Sequence, residues 1–345
     1  MPKDDPEATI NVRRSKGAAR SADPIANKAG APAVLLFAAG LAGVLLIGGS
    51  AYWLLRPATN VPERVAIAPP RAQPSIARPS IPRPALPHRD EVEIRDQRAR
   101  VPTMVRFAPN PRILVIDFPD LRSQGLAFNR MAAFLEKAGL PRDRVLGDGE
   151  LADAIRSDNA TVETYYYGHD YRLAEVGRFF AIADRQRLAL SVDEEHLRDI
   201  LLAEEALSET AEGAIIAVPR EGSDPFVDAS GRASLLRHEL SHGEYFTVPA
   251  YAAFARHFWS HDMTETDRAS FRGFLTRQGY DPSDEDLLIN ETQAHLMATT
   301  DGRYFNARDC GLPLARVTVL RTSFAAKMPD GWLQNAVRQS LTRLP

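Results

Sequence analysis

The chain has 345 residues, of which 44% are hydrophobic and 25% charged, with a net charge of −3, and these averages exclude wholesale disorder. Its 42 basic and 45 acidic residues leave no excess to hold a phosphate backbone, so no nucleic acid is expected as a partner. A single cysteine, Cys310, excludes an intramolecular disulfide and a thiolate-rich zinc site; any metal has to be held by His, Asp or Glu.

Residues 1–30 form a basic tail. Between Lys28 and Arg56 lie 27 residues without a charge, including Val34-Leu35-Leu36-Phe37 and Val44-Leu45-Leu46-Ile47. A run of that length spans a bilayer and exceeds the h-region of a cleaved signal peptide. Tyr52 and Trp53 stand at its end, where amphipathic rings settle at the headgroups. One transmembrane helix over 31–55 is therefore expected, with the lipid bilayer as a partner. Arg13, Arg14, Lys16, Arg20 and Lys28 precede it, whereas only Arg56, Arg64 and Arg71 follow within a similar distance. This bias predicts a single-pass protein of the cytoplasmic (inner) membrane, with its N-terminus in the cytoplasm and the rest outside.

Ten of the 25 prolines fall between residues 57 and 102. The stretch 56–104 thus reads as a Pro-rich linker, extended enough to hold a domain up to about 100 Å from the membrane. From residue 105 to 345 the composition becomes that of one globular domain. The apolar runs 113–117 and 214–218 predict buried strands. Helical spacing covers 124–139, 171–186, 192–207, 231–243, 249–259, 264–278, 284–299 and 313–326. Ser191 with Glu194, and Thr264 with Asp267, are helix starts of the capping-box type. The expected class is α+β, mainly helical with a small sheet. The run Tyr165-Tyr166-Tyr167-Gly168-His169-Asp170-Tyr171 either lines a cleft or forms a half-buried strand and turn. Cys310 is expected to be an inert thiol in a turn before Pro313.

Within this domain, His238-Glu239-Leu240-Ser241-His242 is an H-E-x-x-H pattern. Histidines four apart lie on one helical face, one turn above each other, so both imidazoles reach one ion. The glutamate between them is placed to take a proton from water beside that ion. Leu235, His238 and His242 share the core-facing stripe of the helix.

A third ligand has to come from the chain, and His261-Asp262, Glu265 and Glu291 follow at plausible distance. Asp262 and Glu265 flank Thr264 at a helix start, where acids serve the cap and the helix dipole. Glu291 instead shares a stripe with Leu287, Leu288, Ala294, His295 and Ala298. A carboxylate facing the core there requires a cation.

These residues resemble the gluzincin class of zinc metallopeptidases, in which H-E-x-x-H is followed by a glutamate on a later helix. The resemblance covers about residues 234–298, and no single family within the class is assignable. It implies a zincin-like catalytic domain holding Zn2+ through His238, His242 and Glu291, with Glu239 as general base. Glu239 would take a proton from water and return it to the leaving amine of a cleaved peptide bond. Tyr245 and Val248 stand where the longer metzincin pattern has a glycine and a third histidine. Glu244 departs from the apolar residue common two places after the second histidine. To support a ligand or stabilise the oxyanion, the candidates are His295, Tyr245, Tyr251 and His261, with His257 also nearby. The strand 214–218 resembles the edge strand along which gluzincins hold an extended substrate.

The expected function is hydrolysis of envelope polypeptides by a membrane-anchored zinc peptidase. Two alternatives stay open. One is a non-catalytic scaffold with a zinc closed by His238, His242, Glu291 and His295. The other is a metal-dependent hydrolase of a cell-wall amide.

Overall fold

The computed structural model describes residues 85–341; the basic tail, the span 31–55 and the linker up to residue 84 lie outside the described residues. Among the described residues no helix is long and apolar enough to cross a membrane.

The described chain begins with β1 (His88–Arg89), α1 (Glu91–Asp96), β2 (Thr103–Phe107) and β3 (Ile113–Phe118). Residues 88–104, expected within the linker, instead form β1, α1 and the start of β2. Proline density falls after Pro87, and Asp90 with Glu93 forms a reciprocal capping box that starts α1. Ile94 is then fully buried. The chain continues through α2 (Leu121–Leu135), α3 (Asp148–Ser157), β4 (His169–Arg172), α4 (Leu173–Gln186), α5 (Val192–Ala203) and β5 (Ala214–Pro219). The C-terminal half is helical: α6 (Ala229–Thr247), α7 (Pro249–His257), α8 (Glu265–Arg277) and α9 (Glu285–Gln293). It ends with α10 (Ala307–Cys310), α11 (Leu314–Lys327) and α12 (Trp332–Leu341). The class is therefore α+β, mainly helical with one small mixed sheet.

The five strands lie in the order β1-β2-β3-β5-β4. β3 pairs parallel with β5, and β4 pairs antiparallel with β5, Asp170 standing opposite Ile216. The expected edge strand 214–218 is thus an inner strand, and β4 forms that edge. Every residue of β3 and β5 is buried because helices cover both faces. Leu114, Ile116, Ile215 and Ala217 face the cluster built with α2, α4 and α5. Ile113, Val115, Ile216 and Val218 pack with Leu236 and Leu240 of α6. Burial of each such leucine contributes about 1.5–3 kcal/mol by apolar transfer.

Fourteen of the 19 residues of α6 are buried, so this helix is central, lacking the polar face of a surface helix. Its N-terminus is capped by Asp228, which accepts from the amide of Gly231 at 2.8 Å. Gly243 lets it sit close to the sheet, since a Cβ there would come within 2.7 Å of Ile113. Its other side meets a second apolar cluster assembled from α7 to α12. A fully buried Arg232 near its start pairs with Asp117 at 2.9 Å and donates to the carbonyls of Ile94 and Arg95. Burial pushes the Asp117 carboxyl up, and that guanidinium opposes the shift.

Cys310 ends α10 in the core, where burial pushes its thiol up to about 12, as an inert thiol requires. The tyrosines at 165, 166, 167 and 171 are buried ahead of and within β4. The half-buried strand expected of that run is in fact wholly internal.

Candidate metal centre

α6 carries His238, Glu239 and His242 into the seam between the sheet and the C-terminal helices, and α9 brings Glu291 against them. All four are fully buried, as is His295. His238 Nε2 and His242 Nε2 lie 3.0 Å apart. Glu291 reaches His238 Nε2 with Oε2 at 3.8 Å and His242 Nε2 with Oε1 at 3.7 Å. A tetrahedral ion with bonds of 2.0–2.2 Å sets neighbouring ligand atoms ~3.3 Å apart. The three separations straddle that value, so the arrangement fits a small divalent cation.

Further donors surround this trio. His295 Nε2 is 3.9 Å from Glu291 Oε2, and its ring packs among His238, Phe274 and Phe305. Asp170 of β4, 2% exposed, places Oδ2 at 3.7 Å from His242 Nε2. The ligand atoms of His238, Glu291 and His295 all lie within 4.8 Å of one another, and so do those of Asp170, Glu239 and His242. These buried His, Asp and Glu groups can hold a metal ion. Nitrogen and carboxylate donors suit zinc and other first-row divalent metals, and do not by themselves select one.

Supporting contacts fix the histidines. His238 Nδ1 meets Thr299 Oγ1 at 2.7 Å, and that hydroxyl donates to the carbonyl of Ala294 at 3.1 Å. With its own proton committed, Thr299 accepts from Nδ1–H and leaves His238 Nε2 unprotonated, as binding of a cation requires. Thr299 follows a π-helical turn, Ala294–Ala298, that replaces the last turn of the expected helix 284–299. Such turns are frequent at functional sites. Ser241 Oγ donates to the His238 carbonyl, and Gln293 links Ser241 to Tyr251. Gly168 lies against Glu239: a Cβ there would overlap its carboxylate.

The remaining expected residues sit elsewhere. The Tyr245 hydroxyl donates to Asp286 at 2.5 Å and that of Tyr251 to Gln293 at 2.6 Å, so both bind helices together. His261 is exposed on a second π-helical turn, Phe258–Asp262, with its ring stacked on His257. Asp262 pairs with Lys327, and Glu265 is exposed beside Arg268. Glu244 accepts from Asn110 at 3.1 Å, where burial pushes its carboxyl up against that hydrogen bond. It ties α6 to the turn before β3, and its polarity therefore has a structural cause. Asp170 and Thr299 were not among the residues expected from the sequence.

A cleft of about 110 Å³ opens beside the cluster, lined by Asp170, Tyr171 and Arg172 of β4, Glu175, Phe246 and Asn290 among others. Burial pushes the Glu175 carboxyl up, with Arg172 opposing. Asp170 is the residue that belongs both to the cleft wall and to the metal-binding groups. Compared with protein-family models, curated proteins and solved structures, the chain matches none.

Proposed function

We propose that this chain is a membrane-anchored, zinc-dependent peptidase of the gluzincin type, with a zincin-like domain outside the cytoplasm cleaving envelope polypeptides. The observation that carries the reading is the meeting of His238, His242 and Glu291 within 3.0–3.8 Å, with Glu239 from the same motif beside them. His238, His242 and Glu291 would hold the ion, and Thr299 keeps His238 in the required tautomer. When bound, zinc supplies Lewis acidity toward a peptide carbonyl and a neighbouring water. Glu239, a carboxylate in a water-poor pocket, takes the proton from that water and delivers it to the leaving amine. Gly168 leaves room for the Glu239 carboxylate to do so.

The test separates the base from the ligands. Glu239→Gln in the full chain is expected to keep one zinc per chain and to lose roughly a hundredfold or more of peptide hydrolysis. Loss of zinc together with activity would make Glu239 a structural residue and remove the mechanism.

One observation favours a second reading, a non-catalytic scaffold with a closed zinc. The metal-binding side chains are 0–2% exposed, as in structural sites, whereas catalytic sites keep an open position. In that case wild-type protein binds zinc tightly and hydrolyses no peptide, and Glu239→Gln changes neither property.

A further inference from the structure

We infer that Asp170 is a fourth protein ligand of the metal, closing its coordination in the resting protein at the point where the cleft reaches the ion. The inference rests on the metal-centre reading above and is independent of which bond, if any, is hydrolysed.

Two carboxylates stand at equal reach from one ligand nitrogen. Asp170 Oδ2 and Glu291 Oε1 are each 3.7 Å from His242 Nε2. A cation bonded to that nitrogen would therefore have both carboxylates within reach. Both distances approach the ~3.3 Å spacing of ligand atoms about a tetrahedral ion. A carboxylate at 2% exposure is costly to keep ionised, and a dication beside it offsets that cost.

The fold holds Asp170 there by ordinary means. β4 is pinned to β5 from His169 through Arg172, with Asp170 opposite Ile216. On the same segment Gly168 lies against Glu239. Residues 168–170 thus cover both the proposed base and the His242 side of the ion. Asp170 also forms part of the cleft wall with Arg172 and Asn290, the neighbour of Glu291. Hydrolysis requires an open coordination position. In this arrangement the position is made when a substrate entering the cleft displaces the Asp170 carboxylate. The total burial of the site is then its resting state, and the cleft is its entrance.

Zinc competition with a chelator and the visible spectrum of the cobalt-substituted full chain test this without any substrate. Asp170→Asn, which keeps the shape and removes the charge, is expected to weaken zinc binding at least tenfold and to alter the cobalt spectrum. Asp262→Asn, outside the cluster, is expected to change neither. Asp170→Glu keeps the carboxylate on a longer arm; it is expected to restore part of the affinity while still altering the spectrum, an independent reading should Asp170→Asn fold poorly. Unchanged affinity and spectrum in Asp170→Asn, or an unchanged spectrum in Asp170→Glu, would overturn the assignment. A weakened Asp170→Asn beside a fully active Glu239→Gln would uphold it and sink the peptidase mechanism.

Discussion

The readiness of an imidazole for a metal is set by its other nitrogen. At His238 that nitrogen, Nδ1, is 2.7 Å from a Thr299 hydroxyl whose proton is spent on Ala294. Thr299→Val keeps the shape and removes the acceptor, so the Nε2 tautomer loses its preference. Zinc affinity, read by chelator competition, is expected to fall about 10–100-fold; unchanged affinity would show that the tautomer is fixed by another group. Glu291→Ala is expected to lose more zinc than either Asp262→Ala or Glu265→Ala, because those two carboxylates pair with Lys327 and Arg268 outside the cluster. Collapse of binding in Asp262→Ala or Glu265→Ala, with Glu291→Ala unaffected, would move the third ligand. That His238 and His242 share one face of a helix, and that Glu291 faces the core from a later one, was legible in the sequence because helical periodicity sets which residues share a face. Asp170 was not. It stands in an aromatic run whose pattern indicates a cleft lining or a strand and turn and no ligand, and its approach to His242 is made by the pairing of β4 with β5 and the packing of α6 upon them. Thr299 lay hidden for a related reason: its use depends on a π-helical turn that periodicity does not announce.

Most of the longer elements were legible, although α3 and α12, ten residues each, were not. The eight segments with helical spacing all contain helices, and the capping boxes at Ser191 and Thr264 start α5 and α8 as expected. The short α1 and α10 and the strands β1 and β4, of two to six residues, are too brief for a period to stand out. Strand order was not legible either, since it is set by pairings between segments about a hundred residues apart. Among contacts between helices, the clamp from α8 to α11 offers a test by pH. Burial opposes ionisation of Asp267, but Arg316, at 3.0 and 2.6 Å, and the Thr264 cap outweigh it and hold the carboxyl down at about 2. A folded value below the unfolded one, near 3.9, means stability present above that pH and lost as pH falls through about 2. Arg316→Met is expected to cost about 1–3 kcal/mol at pH 7 in denaturant unfolding. That difference from wild type is expected to shrink steadily between pH 4 and pH 2, to the extent the protein remains folded there. A pH-independent difference would mean that Arg316 acts through packing alone.

At the scale of the whole molecule, the position of the candidate metal centre follows from α6 being shared by two apolar clusters, one against the sheet and one among the C-terminal helices. Polar donors at such a seam are shielded from water on both sides, which strengthens their hold on a cation and raises the cost of leaving it out. Were the centre to hydrolyse peptide bonds as proposed, it would be dangerous to unfolded chains in the cytoplasm, and the sequence offers a way to keep it apart. The uncharged run of 27 residues ends at Arg56, six basic residues precede it within 1–30, and proline-rich sequence follows. If these act as read, the domain is exported and tethered, and its substrates are polypeptides within reach of the membrane surface. A reporter enzyme that works only outside the cytoplasm, fused after Pro345, is expected to be active, and the fusion is expected to remain with the membrane fraction after a high-salt wash. Removal of residues 31–55 is expected to abolish both properties together, since the same segment directs export and anchors the product. A fusion active in the cytoplasm would reverse the topology. A mature protein lacking its first 50 residues, recovered in the wash, would instead identify the run as a cleaved leader and leave the metal centre without a tether.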